Sequence, residues 1–300
     1  MAEFDLERFV SLSKAVDLSD IDWAEAAHIG ITDEEYRTIR FMADTELHTI
    51  LYLRDLLAGH SAADSEVTQF MACWVYEETH HGRALERFCS EAGRPMDKDH
   101  FYKVNKVPSF REEITGFLSR GGARVTPHFA ASHMCWGAIN ELLANTSYLA
   151  LARHTKNPQL AKLVSKLARD ERKHFAFYFS QAERRLRDGG WKAQKLCYLA
   201  IRGFWEPVGI GVGEPNTLEM IISLYFGDEE GRTELKALDT KIAQLPGMEW
   251  FDMIVKWTNA GRDRYQTIDA VSYARHRAND ARNAAKKQAS TFRGAQVAST

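Results

Sequence analysis

Two short stretches of the sequence carry the same spacing of metal-binding side chains. In each, a glutamate precedes a histidine by three residues, and a lone glutamate lies further upstream. The six residues are Glu46, Glu78, His81, Glu141, Glu171 and His174. When four helices pack as a bundle, one glutamate from each of two helices and a Glu-x-x-His pair from each of the others form a carboxylate-bridged dinuclear metal site. The sequence therefore predicts a protein that activates dioxygen or handles iron.

The spacing of the glutamates indicates two similar halves. Glu46 precedes Glu78 by 32 residues, and Glu141 precedes Glu171 by 30 residues. A helix, a short loop and part of a facing helix account for such a step, because a helix rises about 1.5 Å per residue. We therefore expect two antiparallel helical hairpins that carry their glutamates at similar depth.

The six residues lie on the apolar faces of the predicted helices. Side chains spaced alternately by three and four positions share one face of a helix. In the second helix this face carries Val67, Met71, Trp74, Glu78, His81, Leu85 and Phe88. A single Glu-x-x-His pair is more often an ordinary surface pair, but two copies on apolar faces favour a metal site. Buried carboxylates without partners are costly, so we expect cations among them.

The types of these side chains indicate which metal they would bind. Two divalent cations would neutralise four carboxylates and leave two imidazoles as neutral donors. Oxygen and imidazole ligands suit iron or manganese better than a metal that prefers thiolates. We predict two iron ions with O2 as co-substrate, and a manganese–iron pair remains open.

The pattern of the chain is helical almost throughout and predicts an all-α fold. We expect one domain over residues 1–275, with a four-helix bundle at about 32–189, additional flanking helices over 191–275, and a solvated or disordered tail at 276–300. No segment alternates with a period of two for long enough to require a sheet. The predicted helices are 32–59, 64–92, 108–119, 127–154, 158–189, 191–205, 217–227, 231–243 and 247–258.

The composition is that of a soluble globular protein. Of the 300 residues, 45% are hydrophobic and 27% are charged, and the formal net charge is −2. This balance gives no reason to expect nucleic acid or an anionic membrane as a partner. The sequence predicts neither a signal peptide nor a membrane span. Because the four cysteines show no C-x-x-C spacing, we expect reduced thiols and a cytoplasmic location.

The segments around the six residues resemble the soluble acyl-(acyl-carrier-protein) desaturases. Glu77-Glu78-Thr79-His80-His81-Gly82 is similar to their EENRHG segment, Asp170-Glu171-Arg172-Lys173-His174 to their DEKRH segment, and Thr45-Glu46 to the TE pair on their first ligand helix. The likeness spans about residues 35–190. It implies a ferritin-like fold, iron ligation by the six residues, Glu78 and Glu171 as bridges, a homodimer and a ferredoxin-type electron donor. It also implies an apolar or acyl substrate that acyl carrier protein can carry.

Polar residues next to the predicted ligands are candidates for the second layer of the site. Asp170 and Glu77 each precede a ligand by one residue and can accept the second imidazole N–H of the histidine on the opposite helix, unless they are ordinary solvated acids. The family has a threonine three residues after the third-helix glutamate, where this chain has Ala144. Thr49 or Asn145 can supply a polar group instead.

Apolar residues near the predicted ligands either line a substrate cavity or pack as ordinary core. Gly137 and Ala144 flank Glu141 by one turn on either side and would leave space beside the metals. The predicted lining residues are Trp74, Leu85, Gly137, Ala144, Tyr148 and Phe177.

Several functions fit this ligand set. Our first hypothesis is desaturation or hydroxylation of an acyl chain carried as a thioester. The alternatives are a biosynthetic N-oxygenase or oxidase acting on a small molecule, and a ferritin-like ferroxidase or iron-binding protein. A tyrosyl-radical subunit is disfavoured because Leu85, not a tyrosine, follows His81 by one turn. A basic cluster is either a docking site for an acidic carrier or electron donor, or a solvated face; it consists of Arg184, Arg185, Arg187, Lys192 and Lys195.

Overall fold

The computed structural model describes residues 4–57, 63–96, 128–210, 214 and 216–265, and these ranges contain helices and no strand. The helices are α1 (Leu6–Leu12), α2 (Trp23–Ile29), α3 (Asp33–Leu57), α4 (Ser65–Glu91), α5 (Phe129–His154), α6 (Pro158–Asp188), α7 (Gly190–Phe204), α8 (Thr217–Phe226), α9 (Glu229–Ile242) and α10 (253–265). The predicted helix 108–119 and the predicted tail lie outside the described residues.

The four long helices form the predicted bundle. α3 packs along α4, α5 packs along α6, and α4 also contacts α6. The core between them is apolar and almost fully excluded from solvent, and it is continuous with the helices that follow α6. The all-α prediction and the two-hairpin prediction are confirmed.

Local sequence signals begin and end these helices. The Thr32 hydroxyl accepts from the Glu35 backbone N–H at 3.1 Å, and the Glu35 carboxylate accepts from the Thr32 N–H at 2.8 Å, which is a reciprocal cap at the start of α3. Asn157 Oδ1 caps α6 by accepting from two backbone N–H groups. α4 ends just before Gly93, whose φ of 77° is the left-handed conformation that glycine adopts without strain.

The sequence did not predict the two short N-terminal helices. α1 and α2 have seven residues each, too few to establish a helical period. Both pack against the bundle. The ring centroids of Phe9 on α1 and Phe70 on α4 lie 5.2 Å apart, and Asn157 Nδ2 at the start of α6 donates to the Ala26 carbonyl of α2 at 3.1 Å.

The predicted helix 247–258 begins later than expected. Residues 243–252 form turns, and α10 starts at residue 253. The carboxylate of Asp239 on α9 accepts from the backbone N–H groups of Ile254 and Val255 at 3.0 and 3.1 Å. A distant side chain therefore caps the first turn of α10, and local sequence could not indicate this start.

The membrane and cysteine predictions, made for the whole chain, can be compared with the structure over the described residues. No helix there combines the length and the apolar character that crossing a membrane requires. Cys73, Cys89, Cys135 and Cys197 are free thiols.

Candidate metal centre

The bundle brings the six predicted ligands together at its centre. α3 supplies Glu46 and α5 supplies Glu141, while α4 and α6 each supply one Glu-x-x-His pair. Residues three positions apart lie on the same face of a helix, so both members of each pair point inward. All six side chains are buried, with exposed fractions between 0% and 6%.

The ligand atoms form two overlapping groups. The first group consists of Glu46, Glu78, His81 and Glu171. The second group consists of Glu78, Glu141, Glu171 and His174. Within each group the ligand atoms lie within 4.8 Å of one another. Glu78 and Glu171 belong to both groups, which is the position of bridging carboxylates, and the arrangement can bind two metal ions.

Polar atoms at the centre lack hydrogen bonds from the described residues. His81 Nδ1 lies 3.0 Å from Glu171 Oε1, and His174 Nδ1 lies 3.0 Å from Glu78 Oε1. However, Glu78 Oε1, Glu171 Oε1 and His81 Nδ1 make no hydrogen bond of acceptable geometry. Leaving a buried polar atom unpaired costs about 1–3 kcal/mol. Metal coordination would satisfy these atoms, so the residues fit a dinuclear site.

The four carboxylates differ in the direction of their pKa shifts. Burial, followed by the negative charges of Glu78 and Glu171, raises the pKa of Glu46 well above its usual value. Burial also raises the pKa of Glu141. Burial acts in the same direction on Glu78, but the close approach of Glu46 and of the two imidazoles outweighs it and holds the pKa of Glu78 well below the usual value. The same imidazoles lower the pKa of Glu171 against the effects of burial and of the Glu78 charge.

Neighbouring carboxylates raise the pKa values of the two histidines. Burial would lower the pKa of His81, but the nearby carboxylates of Asp170, Glu171 and Glu78 raise it well above the usual value. The pKa of His174 is raised in the same way by its carboxylate partners, with Glu141 first among them. The same carboxylates that would attract cations therefore favour protonated imidazoles, so metal ions would compete with protons at this centre.

Each histidine turns its outer ring nitrogen to a carboxylate on another helix. His81 Nε2 lies 3.3 Å from Asp170 Oδ2, and His174 Nε2 lies 2.8 Å from Glu77 Oε2. Such contacts fix the ring orientation and leave Nδ1 for a metal. The two sides differ, because Glu77 is buried whereas Asp170 reaches solvent and accepts from Lys173 at 2.5 Å. The imidazole and ammonium partners overcome the effect of burial and lower the pKa of Asp170 to about 2.

Tyr148 has a contact that the sequence did not predict. Its phenol donates a hydrogen bond to Glu46 Oε1 across the bundle, and its side chain is buried. Burial, with the nearby negative carboxylates, raises the pKa of Tyr148 well above the usual value, so the phenol remains a neutral donor. Tyr148 follows Glu141 by two turns on the same face of α5, and this spacing could have indicated that its phenol lies near the ligands.

The two polar candidates near the missing threonine bind backbone atoms. The Thr49 hydroxyl donates to the Glu46 main-chain carbonyl of its own helix. Asn145 Nδ2 donates to the Ala168 carbonyl at 2.5 Å. Both contacts connect the side chains to helix backbones.

The opening predicted beside Gly137 is filled. A Cβ at this position would lie 2.3 Å from Tyr178 Cδ1, so the ring of Tyr178 occupies the space that the glycine leaves. The prediction of free space there is wrong, because an aromatic side chain from α6 packs into the gap. Among the other predicted lining residues Ala144 is half-buried, and four lie in the packed core: Trp74, Leu85, Tyr148 and Phe177.

Known proteins resemble this chain in both sequence and fold. Residues 46–190, which contain all six predicted ligands, match the fatty acid desaturase family. The fold also matches solved structures of an R2-like ligand-binding oxidase. The resemblance to ferritin-like di-iron carboxylate proteins is confirmed. No curated protein matches the sequence.

The matched structures carry two kinds of metal pair. A mutant of the R2-like ligand-binding oxidase with an aerobically reconstituted Mn/Fe cofactor has a TM-score of 0.53 and 17% sequence identity, over 87% of this chain and 92% of that chain. A mutant with an Fe/Fe cofactor has a TM-score of 0.53 and 18% identity over the same shares. Both share the ferritin-like fold of this chain, whose buried cluster can bind such a pair.

Proposed function

We propose that this ferritin-like protein desaturates an apolar acyl chain, carried as a thioester, with two iron ions and O2. The single observation that carries the proposal is the pair of overlapping carboxylate–imidazole groups, buried in the part of the chain that matches the fatty acid desaturase family. The ferritin-like fold of the oxidase type and its dinuclear metal site do not depend on which substrate is used.

The described residues would provide the position and the surroundings of the metals. Glu46, Glu141 and the two imidazoles would be terminal ligands, and Glu78 and Glu171 would bridge. Iron bound here would supply the reduction of O2 and the abstraction of hydrogen from an unactivated carbon. Tyr148 orients one oxygen of Glu46, and the apolar core around the site excludes water.

The overall reaction balances with an external reductant. Each new double bond releases two hydrogen atoms from adjacent carbons. With two electrons from a donor and two protons, these convert one O2 to two water molecules. We include a ferredoxin-type donor and a homodimer in the proposal, because the resemblance implies both.

A second candidate is oxidation or N-oxygenation of a small molecule. Two observations favour it: the Tyr178 ring fills the space beside Gly137, and the matched structures belong to a ligand-binding oxidase. A compact site would accept a small substrate more readily than a long chain.

The products distinguish these candidates. Iron-loaded protein is reduced, mixed with O2 and either acyl-carrier-protein thioesters or small amines, and analysed by mass spectrometry. Desaturation removes two hydrogen atoms from the acyl chain, and hydroxylation adds one oxygen atom. The Glu171→Ala variant, which loses a member of both ligand groups, serves as the inactive control. Unchanged thioesters together with an oxygenated amine would reject the first candidate in favour of the second.

A further inference from the structure

The outer face of α7 combines basic and apolar side chains. This face, defined by Trp191, Lys192, Lys195, Leu199 and Arg202, lies opposite the residues that α7 buries. Trp191 is 69% exposed and Leu199 is 54% exposed. The sequence of α7 contains three cations and no acidic residue, although the chain as a whole has a formal net charge of −2.

The positive charge of this face is not neutralised as it is on the neighbouring helix. The arginines at the end of α6 are paired: Arg184 with Glu66, Arg185 with Asp64, and Arg187 with Glu183. The α6 part of the basic cluster predicted from the sequence is therefore neutralised by carboxylates of the same chain.

On α7 the cations remain available. Neither Lys192 nor Lys195 forms an ion pair with any residue in the described ranges, and Arg202 lies 5.9 Å from the centroid of the Trp250 ring. The three cations of α7 therefore form no ion pair with the described residues.

We propose that the outer face of α7 docks an acidic electron-donor protein. This inference rests on the proposed function, because the reaction requires two electrons for each O2. Exposed tryptophan and arginine are typical of protein interfaces, and opposite charges steer and orient the partners. Carboxylates on the donor protein would pair with the three cations, and an apolar patch on the same surface would cover Trp191.

The residue that follows α7 contacts the sequence neighbour of a candidate ligand. α7 is followed by Trp205, which is buried and donates from its indole Nε1 to Asn140 Oδ1 at 3.3 Å. Asn140 precedes the predicted ligand Glu141 on α5. One hydrogen bond and one peptide link therefore lead from the end of the docking helix to a candidate ligand, which favours an electron donor over a carrier protein. Each docking event would oxidise the donor by one electron, so two events serve one turnover.

The binding test uses the metal-loaded full chain and a small acidic [2Fe–2S] ferredoxin as the probe. We expect calorimetry to show binding that weakens as salt rises, and a Lys192→Gln/Lys195→Gln variant to bind roughly tenfold more weakly at low salt. Trp191→Ala should weaken binding with less effect on its salt dependence. The control is Lys14→Gln/Lys156→Gln, which removes the same charge from exposed lysines outside α7 and should bind as the wild type does. Equal binding by both double variants overturns the proposal.

Two further measurements separate a donor from other partners. Trp205→Phe should slow reduction of the metal centre by bound ferredoxin several-fold while ferredoxin affinity and metal content stay unchanged. Binding of acyl carrier protein or anionic vesicles that depends on Lys192 and Lys195, without such dependence for ferredoxin, overturns the proposal. Product formation with dithionite as the reductant tests the proposed function separately, because a small reductant needs no docking face.

Discussion

Identical side chains at the metal centre have opposite proton affinities because their neighbours differ. Glu46 and Glu141 have raised pKa values through burial and adjacent negative charge, whereas Glu78 has a lowered pKa because Glu46 and the two imidazoles lie close to it. These directions favour protons on Glu46, Glu141 and the imidazoles when no cation is bound. Cations that replace these protons would bind more weakly as pH falls, since the protons compete for the same atoms.

The Tyr148→Phe substitution tests whether the phenol orients Glu46. Removing its hydroxyl deletes one donor to a ligand that belongs to only one of the two metal groups. We expect one of two metal-binding steps to weaken roughly tenfold or more, and the other to remain nearly unchanged. Anaerobic titration with Mn²⁺ or Fe²⁺ followed by calorimetry measures both steps.

Tyr225→Phe provides the matched control for this substitution. Tyr225 is also a buried tyrosine, but its hydroxyl pairs with Thr38 at 3.3 Å, away from the predicted ligands. It should leave both binding steps as in the wild type. Equal weakening by both variants, or none by Tyr148→Phe, would show that the phenol does not position Glu46.

At the scale of the helices, contacts between two helices determine where side chains pack closely and where a helix begins. The helical period of one segment does not predict either. α5 carries Gly137 where the ring of Tyr178 from α6 lies against its backbone. α10 begins where Asp239 of α9 offers a carboxylate to its first N–H groups. Each contact joins two helices, and each gives a prediction.

Gly137→Ala should destabilise the protein. The added Cβ would lie 2.3 Å from Tyr178 Cδ1, and the buried ring must move, so we expect a loss of about 1–3 kcal/mol in the free energy of unfolding. Gly203→Ala on α7 is the control, because a Cβ there meets no atom within 4 Å. It should leave stability unchanged or raise it by less than about 1 kcal/mol. Urea unfolding of both variants measures the difference, and equal stabilities would contradict the packing.

Asp239 should make stability fall as pH rises. Burial outweighs the hydrogen bonds from Val255 and Ile254 and raises the pKa of Asp239 from 3.8 to about 6. Between these values the unfolded chain releases the proton while the folded chain keeps it, so rising pH favours unfolding. The contribution present below about pH 4 is therefore lost as the pH rises through 6, and in full it amounts to about 3 kcal/mol.

The Asp239→Asn variant isolates this contribution. Relative to wild type, the variant should gain about 2 kcal/mol in unfolding free energy between pH 4 and pH 7. Metal-free protein is used for both, so that metal release does not alter the comparison. A constant difference across this range would show that Asp239 titrates normally in the folded state.

At the scale of the whole molecule, the metal site and the stability of the bundle are linked. The six ligands come from all four bundle helices, so ions bound to them would connect these helices to one another. The folded bundle assembles these ligands, and unfolding would disperse them. Any ion that binds only the folded state stabilises it by mass action.

Metal addition should therefore raise the melting temperature. We expect a gain of about 2.7 kcal/mol at a metal concentration 100 times Kd, measured by anaerobic thermal unfolding with Fe²⁺ or Mn²⁺. The Glu171→Ala variant should gain much less, because Glu171 belongs to both ligand groups. Equal gains in wild type and variant would place the stabilising metal elsewhere.

The sequence was sufficient to predict the four bundle helices and the inward direction of the six ligands. Helical period places Glu78 and His81 on the face that buries Trp74, and a strong cap such as Thr32 fixes a helix start locally. Short helices such as α1 gave no periodic signal, since seven residues complete barely two turns.

Sequence by itself determined which side chains share a helical face, because that depends only on the geometry of one helix. Only the tertiary structure decided the contacts between helices: the phenol of Tyr148 on Glu46, the ring of Tyr178 against Gly137, and the carboxylate of Asp239 at the start of α10. These contacts depend on how far apart and at what rotation two helices pack, and no spacing along a single chain segment specifies that distance.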